Sequence, residues 1–186
     1  MLTNAGTAML AAAIVFGTAL DAAARQSTID FNVSGTSTVR GWTCTATGVV
    51  SVTPGKTSPA VPGFAAGVQS ATVTVPLKAF KCPNDEMTQH LNAAMKSDKF
   101  QEIVFRLDKY EVAGGQTQAT GTMMILGVSQ EVSFPVTLKA AGKGVEIQGN
   151  TRLDMTKFGV EPPVVMLGLL KVGPQIRIEF KGLVTP

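Results

Sequence analysis

The sequence predicts an all-β domain with one short helix, preceded by a signal peptide, and three observations carry that reading. From Ile29 onward, Val, Thr, Ile and Phe alternate with polar residues in short segments punctuated by Gly, Pro and Asn, the pattern of strands with one buried face. One stretch, and only one, repeats its apolar residues at helical spacing. The N-terminus holds an uncharged apolar run too short to span a hydrocarbon core of about 30 Å. At 186 residues and 45% hydrophobic content, the chain has the size of a single domain with a substantial core.

In chain order, residues 1–24 contain no Lys or Arg, and the Ala-rich run 8–20 is followed by Asp21 and by small residues at Ala22 and Ala24. This fits a signal peptide cleaved after Ala24, leaving 25–186 as one exported domain, periplasmic or secreted. No cysteine follows the run, so a lipid anchor on a new N-terminus is not indicated. Strands are expected over residues 29–33, 71–75, 103–112, 122–126, 132–138, 145–153 and 175–180. In the last of these, Ile176, Ile178 and Phe180 share a face against Gln175, Arg177 and Glu179. In 103–112 the alternation turns Ile103, Phe105 and Leu107 inward and Arg106 and Asp108 outward, because a one-residue slip would bury both charges. So many short strands suggest a sandwich or a barrel.

Two segments depart from the strand pattern. Residues 53–67 are rich in Pro and Gly and read as a surface loop. Residues 84–99 read as the helix: Asn84 suits the cap, Asp85 and Glu86 the first turn, and Met87, Leu91, Ala94 and Met95 form an apolar face.

Several chemistries are not supported. The net charge is +3, rising to +4 once Asp21 leaves with the leader, and the bases (Arg40, Lys56, Lys78, Lys96, Lys109, Lys143, Lys171) are scattered. That argues for solubility and against nucleic-acid binding, and leaves open a transient contact with an anionic membrane surface. His90 is the sole histidine and there are two cysteines, with no C-x-x-C or H-E-x-x-H spacing, so no metal or other cofactor is expected. No G-x-S-x-G elbow or glycine-rich phosphate loop appears, and no catalytic residue is assigned. The Gly127-Val128 pair reads as a hairpin reversal, His90 as a hydrogen bond fixing helix to sheet, and the Asn32-Val33-Ser34 sequon, inside a strand, as without role. Two cysteines in an exported chain predict a Cys44–Cys82 disulfide.

Particular residues also carry a resemblance. Gly35-Thr36-Ser37-Thr38-Val39-Arg40-Gly41-Trp42 resembles the G-x-S-T-x-H-x-W start of the YceI-like family of polyisoprenoid-binding, lipocalin-like proteins. Met87-x-x-His90-Leu91 resembles the family's helix, and Phe100-Gln101-Glu102-Ile103-Val104-Phe105 its F/Y-P-x-I-x-F strand entry. Gly121-Thr122-Met123-Met124-Ile125-Leu126-Gly127-Val128 is similar to its G-x-L-T-I-x-G-V turn, and Met155-Thr156-Lys157-Phe158-Gly159-Val160 stands where the family has R-S-D-F-G-I. Arg40, Gln101, Met124 and Met155 replace the usual His, Pro, Thr and Arg, and Cys44 and Cys82 resemble a cysteine-bearing branch. The resemblance implies an antiparallel lipocalin-like β-barrel with a hydrophobic tunnel for an isoprenoid or other long-chain lipid, such as a quinone tail or polyprenol.

The expected pocket follows from shared faces. Phe105, Met123, Ile125, Phe134 and Met95 should line one apolar cavity, with Leu91 and Met95 on the covering helix and Trp42 and Phe158 near its ends. Trp42 suits a plug at one barrel end and a wall of the pocket equally well. Six methionines, Met87, Met95, Met123, Met124, Met155 and Met166, supply an adaptable lining. Three functions fit: a carrier of an apolar lipid, an enzyme acting on such a lipid with His90 as acid or base, and an interaction module whose barrel is filled by side chains. Homodimerisation stays open at this point.

Overall fold

A computed structural model of the chain describes residues 25–185. The expected leader, residues 1–24, and its cleavage site lie outside the described residues. Among the described residues the elements run β1 (Arg25–Ser37), β2 (Gly41–Pro54), β3 (Val68–Pro76), α1 (Asp85–Ala94), β4 (Glu102–Ala113), β5 (Gln116–Ile125) and β6 (Val128–Ala141). They continue with β7 (Gly144–Asp154), the two-residue β8 (Val164–Val165) and β9 (Leu170–Val184). Each strand pairs antiparallel with the next, β7 pairs with β9, and β9 returns to β1, so eight strands close into a barrel with β8 flanking β9. Closure gives each of the eight barrel strands a partner on both sides over part of its length.

The period-2 pattern holds round the barrel. On β5, Ala119, Met123 and Ile125 are buried and Gln116, Gln118 and Thr122 face outward; on β9, Ile176, Ile178 and Phe180 face in. β4 keeps the expected faces, with Arg106 and Asp108 exposed, but a bulge between Leu107 and Lys109 makes Asp108 an extra residue. Strict alternation would have turned Lys109 inward; the bulge substitutes Tyr110. The β5–β6 hairpin turns on Leu126 and Gly127, both at positive φ (50° and 75°), as a two-residue reversal requires.

Three elements differ from expectation. β2 is a 14-residue strand that the sequence pattern left unassigned, because several of its inward positions are small (Ala46, Gly48) and blur the apolar alternation. α1 ends at Ala94 rather than running to residue 99. Lys96 adopts φ 48°, its N–H bonds to the Ala93 carbonyl and that of Ser97 to Asn92, so a left-handed cap satisfies the last carbonyls. The helix start is as expected, with the Asn84 side chain accepting from the Met87 N–H at 2.8 Å.

The third difference is the Pro/Gly segment after β2, which is a plug rather than a surface loop. Gly55 N–H bonds to the Gly67 carbonyl across its base, and Val61 and Phe64 pair with each other and turn inward. Both are buried against Ile29, Val50, Val52, Val145 and Val184, closing one end of the barrel. Tyr110 holds the plug: its hydroxyl donates to the Pro59 carbonyl and accepts from the Val68 N–H at 3.0 Å. Burying two large apolar side chains offsets part of the cost of ordering the loop, and pairing of its backbone groups at Gly55, Val61 and Phe64 avoids a further penalty.

Candidate functional site

The barrel interior is not a solid core. It contains a chamber of about 150 Å³ above the plug and a larger one of about 370 Å³ toward the opposite end. The two share Phe31, Val73, Phe105, Met123 and Ile178 as lining residues. These five come from β1, β3, β4, β5 and β9 and form a waist between the chambers, so the single cavity expected from the sequence is divided into two adjoining apolar spaces. Phe105, Phe134, Phe180 and Phe31 follow one another with ring centroids 5.2, 5.7 and 6.2 Å apart, in the tilted and edge-on arrangements aromatic rings favour.

Most of the expected lining residues converge. Trp42, Leu91, Met95, Phe105, Met123 and Ile125 all line the larger chamber, while Phe105, Met123 and Phe134 line the smaller. Trp42 is a wall residue, with its Nε1–H donating to the Thr36 carbonyl at 3.3 Å; the plug is at the other end. Phe158 lines neither chamber. It sits in a 3-10 turn (Met155–Phe158), only 2% exposed and packed into the core cluster with Val132, Met155 and Val160. Of the methionines, Met87, Met95, Met123, Met155 and Met166 reach the larger chamber, and Met124 does not, because its even position on β5 faces outward.

The helix and the disulfide shape the larger chamber together. Met87, His90, Leu91 and Ala94 on α1, with Met95 capping its end, cover it from one side. Cys44 on β2 is bonded to Cys82, with Cα atoms 4.2 Å apart, and both line the chamber. Beside them Thr45 and Lys81 exchange backbone hydrogen bonds of 2.8 Å in each direction, so the segment leading into α1 is fastened to the wall. His90 makes no hydrogen bond among the described residues; it stands at the chamber rim with Ser37, Arg40, Asn84 and Glu86. Glu86 is one helical turn from His90, yet no hydrogen bond or ion pair joins them among the described residues.

The sequence reading missed residues 163–172 as part of the site, where Pro163, Val165, Met166, Leu170 and Val172 complete the rim. Their signal was available as the apolar run Val164-Val165-Met166-Leu167-Gly168-Leu169-Leu170, which fits neither period.

Charge is kept to the rim and the outer wall. The ion pairs seen, Lys181–Glu146 at 2.7 Å, Arg177–Glu179 at 2.9 Å and Lys96–Glu161 at 3.9 Å, lie outside the barrel and contribute little individually. The Lys181 hydrogen bond and charge hold the Glu146 carboxyl below its ordinary range. The Asp154 carboxyl is likewise lowered, chiefly by hydrogen bonds from the Thr156 hydroxyl and N–H, at the start of the turn that seats Phe158. An interior lined by hydrocarbon and aromatic faces holds an apolar molecule by exclusion from water and by dispersion.

The comparisons agree with this architecture. The barrel resembles that of BcnA from Burkholderia cenocepacia, with TM-score 0.63 and 18% identity over 83% of this chain and 96% of that one. It also resembles a polyisoprenoid binding domain from Saccharophagus degradans, with TM-score 0.64 and 9% identity over 88% and 99%. A Campylobacter jejuni YceI protein matches with TM-score 0.55 and 17% identity over 75% and 82%. At these identities the likeness is one of fold. No curated protein matches the chain. The model of the YceI-like domain matches residues 19–183. A match over nearly the whole chain, on a closed eight-stranded barrel with a hollow apolar interior, means that this chain belongs to the YceI-like domain family.

Proposed function

We propose that this protein is an exported carrier that holds a long-chain isoprenoid or similar apolar lipid inside its barrel. The observation that carries the reading is the pair of adjoining apolar chambers between the plug and the rim at Trp42 and α1, which share Phe105 and Met123 at the waist. Its two-chamber form suits an extended chain better than a compact ligand. An empty smaller chamber would forgo about 4 kcal/mol of packing, at about 24 cal/mol per Å³, against a total stability of about 5–15 kcal/mol. A ligand filling it recovers that loss. The polyisoprenoid binding domain among the structural relatives supports the same ligand class.

The interaction-module reading, which requires a filled barrel, is disfavoured by this interior. The enzyme reading is disfavoured because the histidine it needs, His90, makes no hydrogen bond or ion pair with a carboxylate or hydroxyl among the described residues. Mass spectrometry of an organic extract of purified, folded protein tests the proposal: a stoichiometric chain lipid is expected. A folded protein that carries none, and takes up none from solution, overturns it.

A further inference from the structure

The rim of the larger chamber carries the most exposed apolar surface of the described chain. Val39, Val164, Met166 and Leu169 are 66, 59, 65 and 75% exposed, and Leu167 is fully so. They form one patch although they are far apart in sequence. Thr38 bonds through its N–H to the Lys171 carbonyl at 3.0 Å and through its hydroxyl to the Leu169 carbonyl at 2.9 Å, and Val164 and Val165 pair with Lys171 and Leu170. The neighbours of these residues, Ser37, Arg40, Val165, Met166 and Leu170, line the chamber, so the patch surrounds its entrance.

The backbone there is itself unusual. Met166, Leu167 and Gly168 follow one another at φ 53°, 55° and 90°. A turn that had only to reverse the chain would use Gly or Asn at such positions, since the left-handed region is strained for branched and long side chains. Here the strain is retained at two large apolar residues, and its result is to extend Leu167 away from the protein. Strain of this kind collects at sites of function. Exposed Arg40 and Lys171 flank the patch; the acidic groups at the rim are Glu86 and Glu161, and Glu161 lies 3.9 Å from Lys96.

We infer that this rim is a membrane-docking surface, on which Leu167, Leu169 and Val39 enter the bilayer interface, with Arg40 and Lys171 at the phosphates. The inference rests on the carrier reading, and it adds where the ligand is exchanged: the chamber opens directly into the lipid phase, so an apolar chain passes in without crossing water. A bilayer fits the patch better than a protein partner does, because a protein seated on the rim would close the entrance. Apolar contact combined with flanking cations is also the composition that binds anionic membrane surfaces.

The test is flotation of purified full-chain protein with vesicles of phosphatidylethanolamine and phosphatidylglycerol, beside vesicles of phosphatidylcholine alone. Wild-type protein should float with the anionic vesicles. The double variant Leu167→Asn, Leu169→Gln should lose binding by about tenfold or more, since two exposed apolar groups are removed. Asn tolerates the left-handed conformation, and neither residue lines the chamber, so the variant should keep its thermal melt. Equal flotation of wild type and variant would overturn the inference, as would no flotation of either. Dimeric wild type that does not float, with a monomeric variant in ultracentrifugation, would assign the patch to self-association instead. Extracts of the wild type separate the two readings: wild-type protein that is loaded yet stays off vesicles defeats docking alone, and wild-type protein that floats but is empty of lipid defeats the carrier alone.

Discussion

The ring of Phe105 lies across Gly121 on the neighbouring strand, so closely that a Cβ at Gly121 would stand 2.6 Å from the ring and closer still to the Arg106 carbonyl oxygen. Phe105 belongs to the waist between the chambers, and the missing side chain at Gly121 is what lets the ring lie flat against the wall. Gly121→Ala should therefore part β4 from β5 at Arg106 and push Phe105 into the lumen, destabilising the protein by about 1–3 kcal/mol or more through overpacking and narrowing the waist. Urea unfolding measures the first effect. Lipid content of the extracted protein measures the second, and an unchanged value on both would separate Gly121 from the waist.

Ile125→Asp and Phe134→Asp each put a carboxylate into an apolar chamber, where nothing pairs with it. Loss of bound lipid is expected for both, at a folding cost that a melting control must register separately. Arg106→Ala, on the exposed face of the strand that carries Phe105, should change neither lipid content nor stability by more than about 0.5 kcal/mol. Retention by both carboxylate variants would count against the interior as the lipid site.

The Cys44–Cys82 bond closes a separation of 38 residues. In the chain-entropy account this stabilises the fold by about 3–4 kcal/mol. Native protein should give no free thiol on labelling and two after reduction in denaturant. The double Ser variant should shift the urea midpoint down and loosen the segment before α1, read as faster amide exchange there than in β5.

Tyr110→Phe removes the hydroxyl that ties Pro59 and Val68. Leaving the partly buried Val68 N–H unpaired should cost about 1–3 kcal/mol, while the exposed Pro59 carbonyl turns to water. Since the loss falls on the plug, protease should cut residues 55–67 sooner in the variant than in wild type.

Asp154 supplies a pH dependence of known sign. Its carboxyl lies below its ordinary value of 3.8 because Thr156 and Gln175 donate to the ionised form. The stabilisation is fully present above the ordinary value and is lost as pH falls through the lowered folded one. Asp154→Asn should thus destabilise the protein at neutral pH, and the gap to wild type should close on acidification below about pH 4. A gap that is constant across that range would remove Asp154 as its source.

What the sequence by itself determined is which side of each strand meets the interior. Ile176, Ile178 and Phe180, and Ile103, Phe105 and Leu107, were legible because side chains alternate with period 2 and a slip would bury charge. The same logic brought Met123, Ile125 and Phe134 to the cavity, and helical spacing brought Leu91 and Met95. The tertiary structure decided what period 2 cannot carry. Val61 and Phe64 sit in a Pro/Gly segment with no period at all, and only the open barrel end beneath them makes them a plug. Phe158 looks like a lining residue until the turn begun by Asp154 seats it in the core. The bulge at Asp108 exchanges Lys109 for Tyr110, a choice set by the register of the adjacent strand. The waist and the rim both depend on closure, which sets Phe31 opposite Phe180 and Thr38 against Leu169 and Lys171. Alternation is a property of neighbouring residues, whereas a cavity exists only once strands more than a hundred residues apart are hydrogen-bonded to each other.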